Sequence, residues 1–535
     1  MPRTVRDATL DVLRARGLTT IFSNPGSTEI PFLADLPDDL RFVLALHEAS
    51  VVGMATGYAL GREQPSLALL HSTPGLGNAV SAIATARTNR VPLVIVVGQQ
   101  DRRHVTQEPF LTGRLAGLAG EYPVWFAQPP RPQDVPGAVN RAVHEAVTRA
   151  GPAIVVVPMD DWLAPAPDRW EVTGPVRVMR GTAVDDGAAA TLAAALDASK
   201  SPAIVVGAGA RSAKAWRELV TLADQLACPV WQEPFSAFAG FPQNHPRFAG
   251  FLPSDRSRLR KLLADRDVVL VVGAGAFKQY EYREGPLVPE STAVAIVTED
   301  PEEAHRSPAD FALIAPLPAV CAGLSRRVRE REGEPPPPWR PEPAPPPAAG
   351  EPLRAVHLVS LLAELLPEDA VLVEEAPSTR LELNARVAAR SPLGSVSAAM
   401  GGLGFALPAA VGLKLALPDR PVAAVVGDGS SLYQIQALWS AAHERAGALF
   451  LVVANGGYAV MDQLAARHGG TAPWPGFGEV DLAGIARGLG CDAERIDRYD
   501  ELERALRDVV PTLAERTEPL LLEVVVRPEK RRRRG

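Results

Sequence analysis

The sequence VAAVVGDGSS at positions 422–431 decides the fold, together with LFLVVANGGY at positions 449–458. Each begins with an apolar, β-branched run and ends in glycine beside a side chain that can bind a ligand. Runs that are apolar on both faces are typical of buried parallel strands, because crossover helices cover both sides of such a sheet. Ligands bind open parallel sheets at the carboxyl ends of the strands. The two stretches therefore predict neighbouring strands that carry a binding site.

Runs of the same kind recur along the chain and set the fold class. They lie at positions 93–97, 154–157, 203–206 and 268–272, separated by helical patterns. This alternation of strands and helices predicts an α/β protein built from doubly wound parallel sheets.

The length of the chain and two breaks in its strand and helix pattern predict three such domains. The chain has 535 residues, too many for one small module. The Pro-rich segment EPPPPWRPEPAPPPAAG at 334–350 predicts a stiff, extended, exposed linker, and a second break is expected within 163–181. We therefore predict domains at 1–165, 182–333 and 351–528, followed by a basic tail at 529–535 to which we assign no function.

Charge and composition exclude several classes of protein. The net charge of −7 argues against a general nucleic-acid binder. No stretch approaches the roughly 20 apolar residues of a membrane span, and the three cysteines lack metal-ligand spacing. We expect a cytoplasmic protein without disulfides, a nucleic-acid partner or a membrane anchor.

Asp428 and Asn455, each placed just after a buried run, are candidate metal ligands. A carboxylate oxygen and an amide oxygen on glycine-bearing loops suit Mg²⁺, which commonly bridges protein oxygens to a phosphate. The alternative for either motif alone is an ordinary turn, which the repeated arrangement after two strands disfavours.

Three polar residues follow predicted strands in the first 165 residues: Ser27, Glu48 and His71. Each has a purely structural alternative, as a helix cap, as an acid in the first turn of a helix, and as a hydrogen-bonded histidine, respectively. Their convergence on one edge of a sheet favours a catalytic site instead.

Glycine-rich turns supply weaker signals. The segment 399–410 predicts a glycine-rich turn that runs into a helix, where the glycines would either let the backbone contact a flat heterocycle or simply allow close helix packing. The Gly-Ala-Gly sequences at 207–209 and 273–275 begin like dinucleotide fingerprints, but Ser212 and Lys278 stand where the third glycine belongs. We interpret both as tight strand-to-helix turns.

Taken together, these motifs resemble the thiamine-diphosphate-dependent 2-oxo-acid decarboxylases and carboligases, with the benzoylformate decarboxylases as the nearest group. The resemblance spans nearly the whole chain, and it rests on the following stretches: FSNPGS at 22–27, LALHEA at 44–49, HS at 71–72, GQQ at 98–100, GGLGFALPAA at 401–410, GDGS at 427–430 and NG at 455–456. It implies a pyrimidine-binding domain, a central transhydrogenase-like domain and a diphosphate-binding domain.

The resemblance also implies a site shared by two subunits, hence a homodimer at least and a homotetramer in many members. Its metal ligands would be Asp428, Asn455 and the Gly457 carbonyl, holding Mg²⁺. Glu48 would relay a proton to the pyrimidine ring, Ser27 would hold the substrate carboxylate, and His71 would handle protons. The remaining cofactor contacts implied are Asn24, Pro25, Gly26, Ser378, Gly401, Leu403, Gly429, Ser430 and Tyr458.

Departures from the family pattern leave the substrate open. Tyr280 stands where the decarboxylases have a second histidine, and a tyrosine is a weaker acid. We hypothesise that this favours carbon–carbon bond formation with an aldehyde, or a different proton donor, over simple aldehyde release. Pro377 replaces a hydroxyl residue, and the expected pocket lining is less aromatic, with Ser397, Ala398, Met461 and Leu464.

Two other functions remain as alternatives. One is an acetolactate-synthase-like carboligase with a flavin in the central domain. The other is a catalytically silent module that keeps the cofactor fold for binding. A dehydrogenase based on the Gly-Ala-Gly turns is a weaker hypothesis.

Overall fold

Three separate six-stranded sheets, each parallel throughout and flanked by helices, make up the protein. This computed structural model describes residues 2–168, 178, 181, 183–348 and 350–528. The prediction of an α/β protein with three doubly wound parallel sheets is confirmed.

The first sheet has the strand order β2-β1-β3-β4-β6-β5. Its strands are β1 (Thr20–Asn24), β2 (Arg41–Leu44), β3 (Ser66–Leu70), β4 (Leu93–Gln99), β5 (Trp125–Ala127) and β6 (Pro152–Pro158). The accompanying helices are α1 (Val5–Ala15), α2 (Ile30–Leu33), α3 (Glu48–Arg62), α4 (Ser72–Thr88) and α5 (Val135–Arg149). Because β1 lies between β2 and β3, the loops after these three strands meet at one edge.

The second sheet has the order β12-β11-β10-β7-β8-β9. Its strands are β7 (Pro202–Val206), β8 (Val230–Gln232), β9 (Phe248–Phe251), β10 (Val268–Val272), β11 (Ala293–Thr298) and β12 (Phe311–Ile314). The helices are α6 (Asp186–Ala198), α7 (Ala213–Gln225), α8 (Arg256–Leu262), α9 (Pro301–Arg306) and α10 (Leu317–Ser325).

The third sheet has the order β14-β13-β15-β16-β18-β17, so β15 and β16 are neighbours. Its strands are β13 (Val371–Glu375), β14 (Val396–Ser397), β15 (Val422–Gly427), β16 (Leu449–Ala454), β17 (Asp492–Ile496) and β18 (Leu520–Val525). The helices are α11 (Ala355–Leu365), α12 (Arg380–Arg386), α13 (Ala406–Ala416), α14 (Asp428–Ser431), α15 (Ala437–His443), α16 (Ala459–Arg467), α17 (Leu482–Gly488) and α18 (Tyr499–Val509). Short 3₁₀ turns complete the described chain at Val105–Gln107, Pro132–Asp134, Asp161–Leu163, Ala208–Ala210 and Val510–Thr512.

Helix α3 of the first sheet packs closely on helix α13 of the third sheet, and glycines make the contact possible. A Cβ at Gly57 would lie 2.1 Å from the Ala409 carbonyl oxygen, and a Cβ at Gly412 would lie 2.0 Å from that of Met54. Only glycine permits backbones to approach this closely. The packing places the start of α3, where Glu48 lies, and the glycine-rich loop before α13 on one continuous core.

The Pro-rich segment differs in one respect from the exposed linker that its composition predicts. The described residues of 334–350 are mostly exposed and contain neither helix nor strand. Trp339, however, packs on the rings of Phe248 and Phe251 with centroids 6.4 and 5.7 Å away, and Arg340 donates to the Gln243 carbonyl. Trp339 anchors the segment to the second sheet because its large apolar ring gains more from burial than the prolines around it.

The break predicted within 163–181 falls largely on residues outside those that the structure describes, as does the basic tail at 529–535. The exact domain boundaries therefore stay a prediction. The cysteines Cys228, Cys321 and Cys491 are buried free thiols, and burial raises the pKa of each to about 12. None of the helices in the described ranges has both the length and the apolar character needed to cross a membrane.

Candidate active site

Glu48 is held at the carboxyl edge of the first sheet by two amides. It is the first residue of α3 and is only 8% exposed. Asn24 donates from Nδ2 to Glu48 Oε1 at 3.3 Å, and Asn78 donates from Nδ2 to Oε2 at 3.0 Å. The acid does occupy the first turn of a helix, as the structural alternative states, but its two oxygens are fixed by side chains rather than left to solvent.

His71 lies beside Glu48 and is paired with a buried carboxylate. Its Nδ1 is 3.1 Å from Glu29 Oε2 and 2.9 Å from the Thr28 hydroxyl. Glu29 is 1% exposed and also accepts the Gly26 N–H at 2.7 Å. The hydrogen bond to Glu29 raises the pKa of His71 above 6.5, helped by the charges of Glu29 and Glu48 and opposed by burial. With Nδ1 engaged, the ring presents Nε2 for proton transfer.

Glycine is required where this turn closes over the histidine. A Cβ at Gly26 would lie 2.4 Å from His71 Nδ1, and a Cβ at Gly98 would lie 1.9 Å from Glu29 Oε1. Larger residues at either position would push His71 or Glu29 out of place.

Pro25 and Ser27 are exposed on the outer side of the same turn. The helix-cap alternative for Ser27 is wrong, because α2 begins at Ile30 and its N-cap residue is Glu29, without a side-chain cap. Ser27 is therefore a side chain available at the open edge, next to Asn24.

Replacing Glu29 by glutamine tests its control of His71. We expect Glu29→Gln to lower the pKa of His71, because the charge that favours the imidazolium is removed while burial remains. Since the folded-state pKa lies above 6.5, this interaction adds stability that is complete below about pH 6.5 and lost as pH rises through the folded-state pKa. NMR titration of the imidazole, with Glu121→Gln at an exposed turn as control, measures the shift. An unchanged His71 pKa would contradict the assignment.

The third sheet carries the second group of polar residues, at the ends of the adjacent strands β15 and β16. Asp428 accepts the N–H of Gly429 at Oδ1 (2.8 Å) and that of Gly456 at Oδ2 (2.7 Å). Asn455 accepts the Gly457 N–H at Oδ1 (3.1 Å). Burial raises the pKa of Asp428, while these N–H groups oppose the shift. A cavity of about 200 Å³ lies beside both residues.

Glycines shape the space around this pair. A Cβ at Gly429 would lie 2.7 Å from the ring of Tyr458, whereas a Cβ at Gly457 would meet nothing within 4 Å. Gly456 has a φ of +72°. Ser430 is buried in the short helix α14 that Asp428 begins. The backbone is thus open to a ligand at Gly457 and closely packed at Gly429.

The loop before α13 is anchored by a buried glutamate. Glu375 accepts the N–H groups of Gly404, Phe405 and Ala406, each at 2.7 Å, and burial raises its pKa to about 7. These bonds fix the position of Leu403. A Cβ at Gly401, whose φ is +73°, would meet no atom within 4 Å, and Ser378 is exposed on the loop after β13.

The residues at the third sheet fit a magnesium ion that is completed by a phosphate. In the described part of the chain, no three His, Cys, Asp or Glu side chains cluster as metal ligands. Asp428, Asn455 and the Gly457 carbonyl are hard oxygen donors that are too few to fill an octahedral shell. Such a partial set suits Mg²⁺ bound together with a diphosphate.

Tyr280 and the Gly-Ala-Gly turns belong to the second sheet. Tyr280 is 66% exposed, and its ring centroid is 6.1 Å from that of Phe235. The N–H of Gly207 bonds to the Val272 carbonyl, and that of Gly209 bonds to the Gly273 carbonyl. These glycines serve to pack one turn on the other, so neither of the two N–H groups is left for a nucleotide phosphate.

The expected pocket positions lie in mixed surroundings. Ser397 donates to the Ser236 carbonyl, and Ala398 is buried. Met461 is 45% exposed and Leu464 half-buried on α16, while Pro377 is exposed. Within the described residues, no hydrogen bond joins the Glu48–His71 group to the Asp428–Asn455 group. One chain thus holds two half-sites at the edges of different sheets.

Sequence reasoning missed Glu29, Asn78 and Glu375. Glu29 follows Ser27 by two residues, and its burial is invisible in the sequence because it depends on the approach of Gly98. Asn78 lies on α4, six residues after the start of that helix at Ser72. The available signal was its position on a helix whose preceding strand ends at the predicted site.

Known proteins match this chain along nearly its whole length. Models of thiamine pyrophosphate enzymes match at residues 3–114 (N-terminal TPP binding domain), 189–324 (central domain) and 382–524 (C-terminal TPP binding domain). Benzoylformate decarboxylase of Pseudomonas aeruginosa is 38% identical over 525 residues, which cover 98% of each chain.

Solved structures agree with these matches. The thiamine diphosphate-dependent 4-hydroxybenzoylformate decarboxylase of Rhodococcus jostii RHA1 superposes with a TM-score of 0.93 at 34% identity, covering 99% of this chain and 100% of that one. Benzoylformate decarboxylase of Polynucleobacter necessarius gives 0.93 at 31% identity, covering 99% of each.

The chain therefore belongs to the thiamine-diphosphate-dependent enzymes, and its cofactor is thiamine diphosphate. Within that family it is a member of the benzoylformate-decarboxylase-like group of 2-oxo-acid decarboxylases, which are carbon–carbon lyases acting on small molecules. The resemblance inferred from the sequence motifs is confirmed.

Proposed function

We propose that this enzyme decarboxylates a 2-oxo acid at a site where Glu48, His71 and Ser27 face the Asp428–Asn455 group of a second copy of the chain. The observation that carries the proposal is the pair of half-sites: a buried carboxylate held by two amides, and a set of oxygen donors beside a cavity. When bound, thiamine diphosphate would supply a carbanion nucleophile and an electron sink for the bonding electrons that stay on the former keto carbon when carbon dioxide leaves.

At the first sheet, the protein manages protons. Glu48, with both oxygens oriented by Asn24 and Asn78, would exchange a proton with the pyrimidine ring. His71, charged more readily because Glu29 faces its Nδ1, would give or take a proton at the former carbonyl oxygen of the substrate through Nε2. Exposed Ser27 would hold the substrate carboxylate by hydrogen bonding.

At the third sheet, the protein would bind the metal ion and the diphosphate group. Asp428, Asn455 and the Gly457 carbonyl would hold Mg²⁺, while Gly429, Ser430, Tyr458 and Ser378 would contact the diphosphate. Leu403, fixed by the Glu375 bonds to the following residues, would support the cofactor from below. Gly401 and the turn Asn24–Gly26 would lie against its rings.

The same geometry supports a homodimer at minimum. The two half-sites of one chain lie at the edges of different sheets, with no hydrogen bond between them among the described residues, so each would be completed by a complementary half. Pairing two chains completes two sites at once, which a closed two-fold dimer does. Assembly of two dimers into a homotetramer is part of the proposal.

The substrate assignment starts from relatives that act on benzoylformate and 4-hydroxybenzoylformate. An aromatic 2-oxo acid is thus one candidate here. Ser397, Met461 and Leu464 give this chain a lining without aromatic rings at those positions, so a polar or aliphatic 2-oxo acid fits equally well.

A panel of 2-oxo acids, offered to enzyme reconstituted with thiamine diphosphate and Mg²⁺, tests the function by carbon dioxide release. Aldehyde acceptors are added in parallel to detect carboligation. Release from at least one 2-oxo acid supports decarboxylation, and the absence of release from all of them would contradict it.

Within this panel, Tyr280→His tests how the product is chosen. We expect the wild type to form more carboligation product relative to free aldehyde than Tyr280→His, because imidazole is a better proton donor than phenol near neutral pH. Product ratios by mass spectrometry measure the change. If the substitution alters neither the rate nor the ratio, Tyr280 does not control product choice.

A further inference from the structure

A cavity of about 500 Å³, beside Tyr280, carries an excess of positive charge. It lies between the second and third sheets, and the charged residues of its wall are four arginines and two acids: Arg258, Arg283, Arg380, Arg467, Asp255 and Glu281. Arginine side chains present planar arrays of five N–H donors, which suit carboxylates and phosphates.

The acidic residues do not neutralise this wall. Arg283 is 3.5 Å from Asp255 and 3.4 Å from Glu281, and Arg467 is 3.2 Å from Glu281. These two carboxylates are thus shared by two guanidinium groups. Most donors of both arginines remain available.

Arg258 supplies the charge that no carboxylate balances, and Arg380, although paired with Glu374, keeps free donors. Arg380 donates through Nε to Glu374 at 2.8 Å, which leaves its terminal nitrogens for other partners. Arg258, exposed on α8, forms no ion pair within the described ranges of the chain. A site with an uncompensated guanidinium group favours an anionic ligand.

The cavity continues toward the positions expected to line the substrate pocket. A smaller neighbouring cavity shares Phe235, Phe251 and Arg380 with it and reaches Ser397. On α16, Leu464 and Arg467 are three residues apart and so lie on one face of the helix. The two phenylalanine rings provide an apolar wall between the serine end and the arginine end.

We propose that this cavity binds an anionic group at the far end of the substrate, so that the preferred 2-oxo acids carry a second negative charge. The distal group is a carboxylate, sulfonate or phosphate, recognised by Arg258, Arg380 and Arg467. The inference rests on the decarboxylase function proposed above and names the substrate class of that same site.

Matched substrates test the inference. Carbon dioxide release is measured for 2-oxoadipate against 2-oxohexanoate, and for 4-carboxybenzoylformate against benzoylformate, at constant ionic strength. Within each pair only the distal carboxylate differs. We expect kcat/KM to be higher for the dianion by about tenfold or more in at least one pair, as one charge-assisted hydrogen bond permits.

Arg258→Gln then tests the site itself. Because Arg258 has no carboxylate partner in the described chain, its replacement leaves no unpaired acid, and we expect the ratio of the two kcat/KM values to fall about tenfold. Arg504→Gln, at an exposed arginine on α18, is the control and leaves the ratio unchanged. A ratio is insensitive to any loss of active enzyme.

Inorganic phosphate separates a substrate tail from a free anion. Phosphate is added while both enzymes turn over the monoanionic substrates. If phosphate changes the rate of the wild type but not the rate of Arg258→Gln, the cavity binds a free anion and the inference is overturned. The inference is also overturned if kcat/KM is higher for the monoanion than for the dianion in both pairs. It is overturned as well if Arg258→Gln leaves the ratio of the two kcat/KM values unchanged. Neither result contradicts the decarboxylase function. Failure of every 2-oxo acid to release carbon dioxide overturns the proposed function.

Discussion

Glu48→Gln is expected to lower kcat for carbon dioxide release about a thousandfold, within the range that general acid–base groups contribute. The carboxylate is the proposed proton relay to the pyrimidine ring, and an amide neither ionises nor takes up a proton at neutral pH. Glutamine also has one acceptor oxygen, so either Asn24 or Asn78 loses its partner. We expect that loss to cost about 1 kcal/mol of folding free energy, which is small against the effect on kcat.

The control lies just after the last residue of the same helix. Glu63→Gln makes the identical change at the C-terminal end of α3, where the residue is exposed. We expect its kcat to stay within about twofold of the wild type. Its free energy of unfolding should change by about 0.5 kcal/mol or less, as is typical of surface substitutions. Steady-state turnover and thermal melting are measured for both variants. Turnover of Glu48→Gln equal to that of the wild type would remove Glu48 from the proton path.

Several strands were predictable because a strand that is buried on both faces has a continuous run of apolar residues in the sequence. The run at 268–272 coincides with β10, and the runs at 422–426 and 449–453 each lie within a strand that is one residue longer. The sequence FVLAL at 42–46 is apolar throughout, yet β2 stops at Leu44. Leu46 is 43% exposed, and hydrophobicity alone does not distinguish such a residue from a buried one.

Contacts between distant segments were not predictable. Glu29 reaches His71 only because Gly98, on another strand, leaves room for its carboxylate. The Gly-Ala-Gly turns resemble a nucleotide fingerprint in sequence, but the two turns pack on one another and their N–H groups bond within that contact. Likewise, the arginines of the cavity beside Tyr280 come from helices and loops as far apart in the chain as α8 and α16, and only the fold brings them together.

Asp428→Asn is expected to weaken the binding of thiamine diphosphate in the presence of Mg²⁺ about a hundredfold. Removing the only charged member of the proposed ligand set costs about 3 kcal/mol, typical of a lost charge-assisted contact, and 1.4 kcal/mol is tenfold in affinity. The amide also turns an N–H donor toward Gly429 or Gly456, so one backbone N–H loses its acceptor. Isothermal titration calorimetry of the cofactor-free protein, with and without Mg²⁺, measures the effect.

Two comparisons separate loss of the metal ligand from loss of the fold. Asp419→Asn makes the same change at the opposite end of β15, where the aspartate is exposed, and should leave the dissociation constant unaltered. Omitting Mg²⁺ should weaken binding to the wild type but add little to the defect of Asp428→Asn, because both remove the same bridge to the diphosphate. If the two defects add in full, Asp428 acts on the cofactor by a route other than the metal, and its carboxylate must then serve chiefly to hold the N–H groups of Gly429 and Gly456.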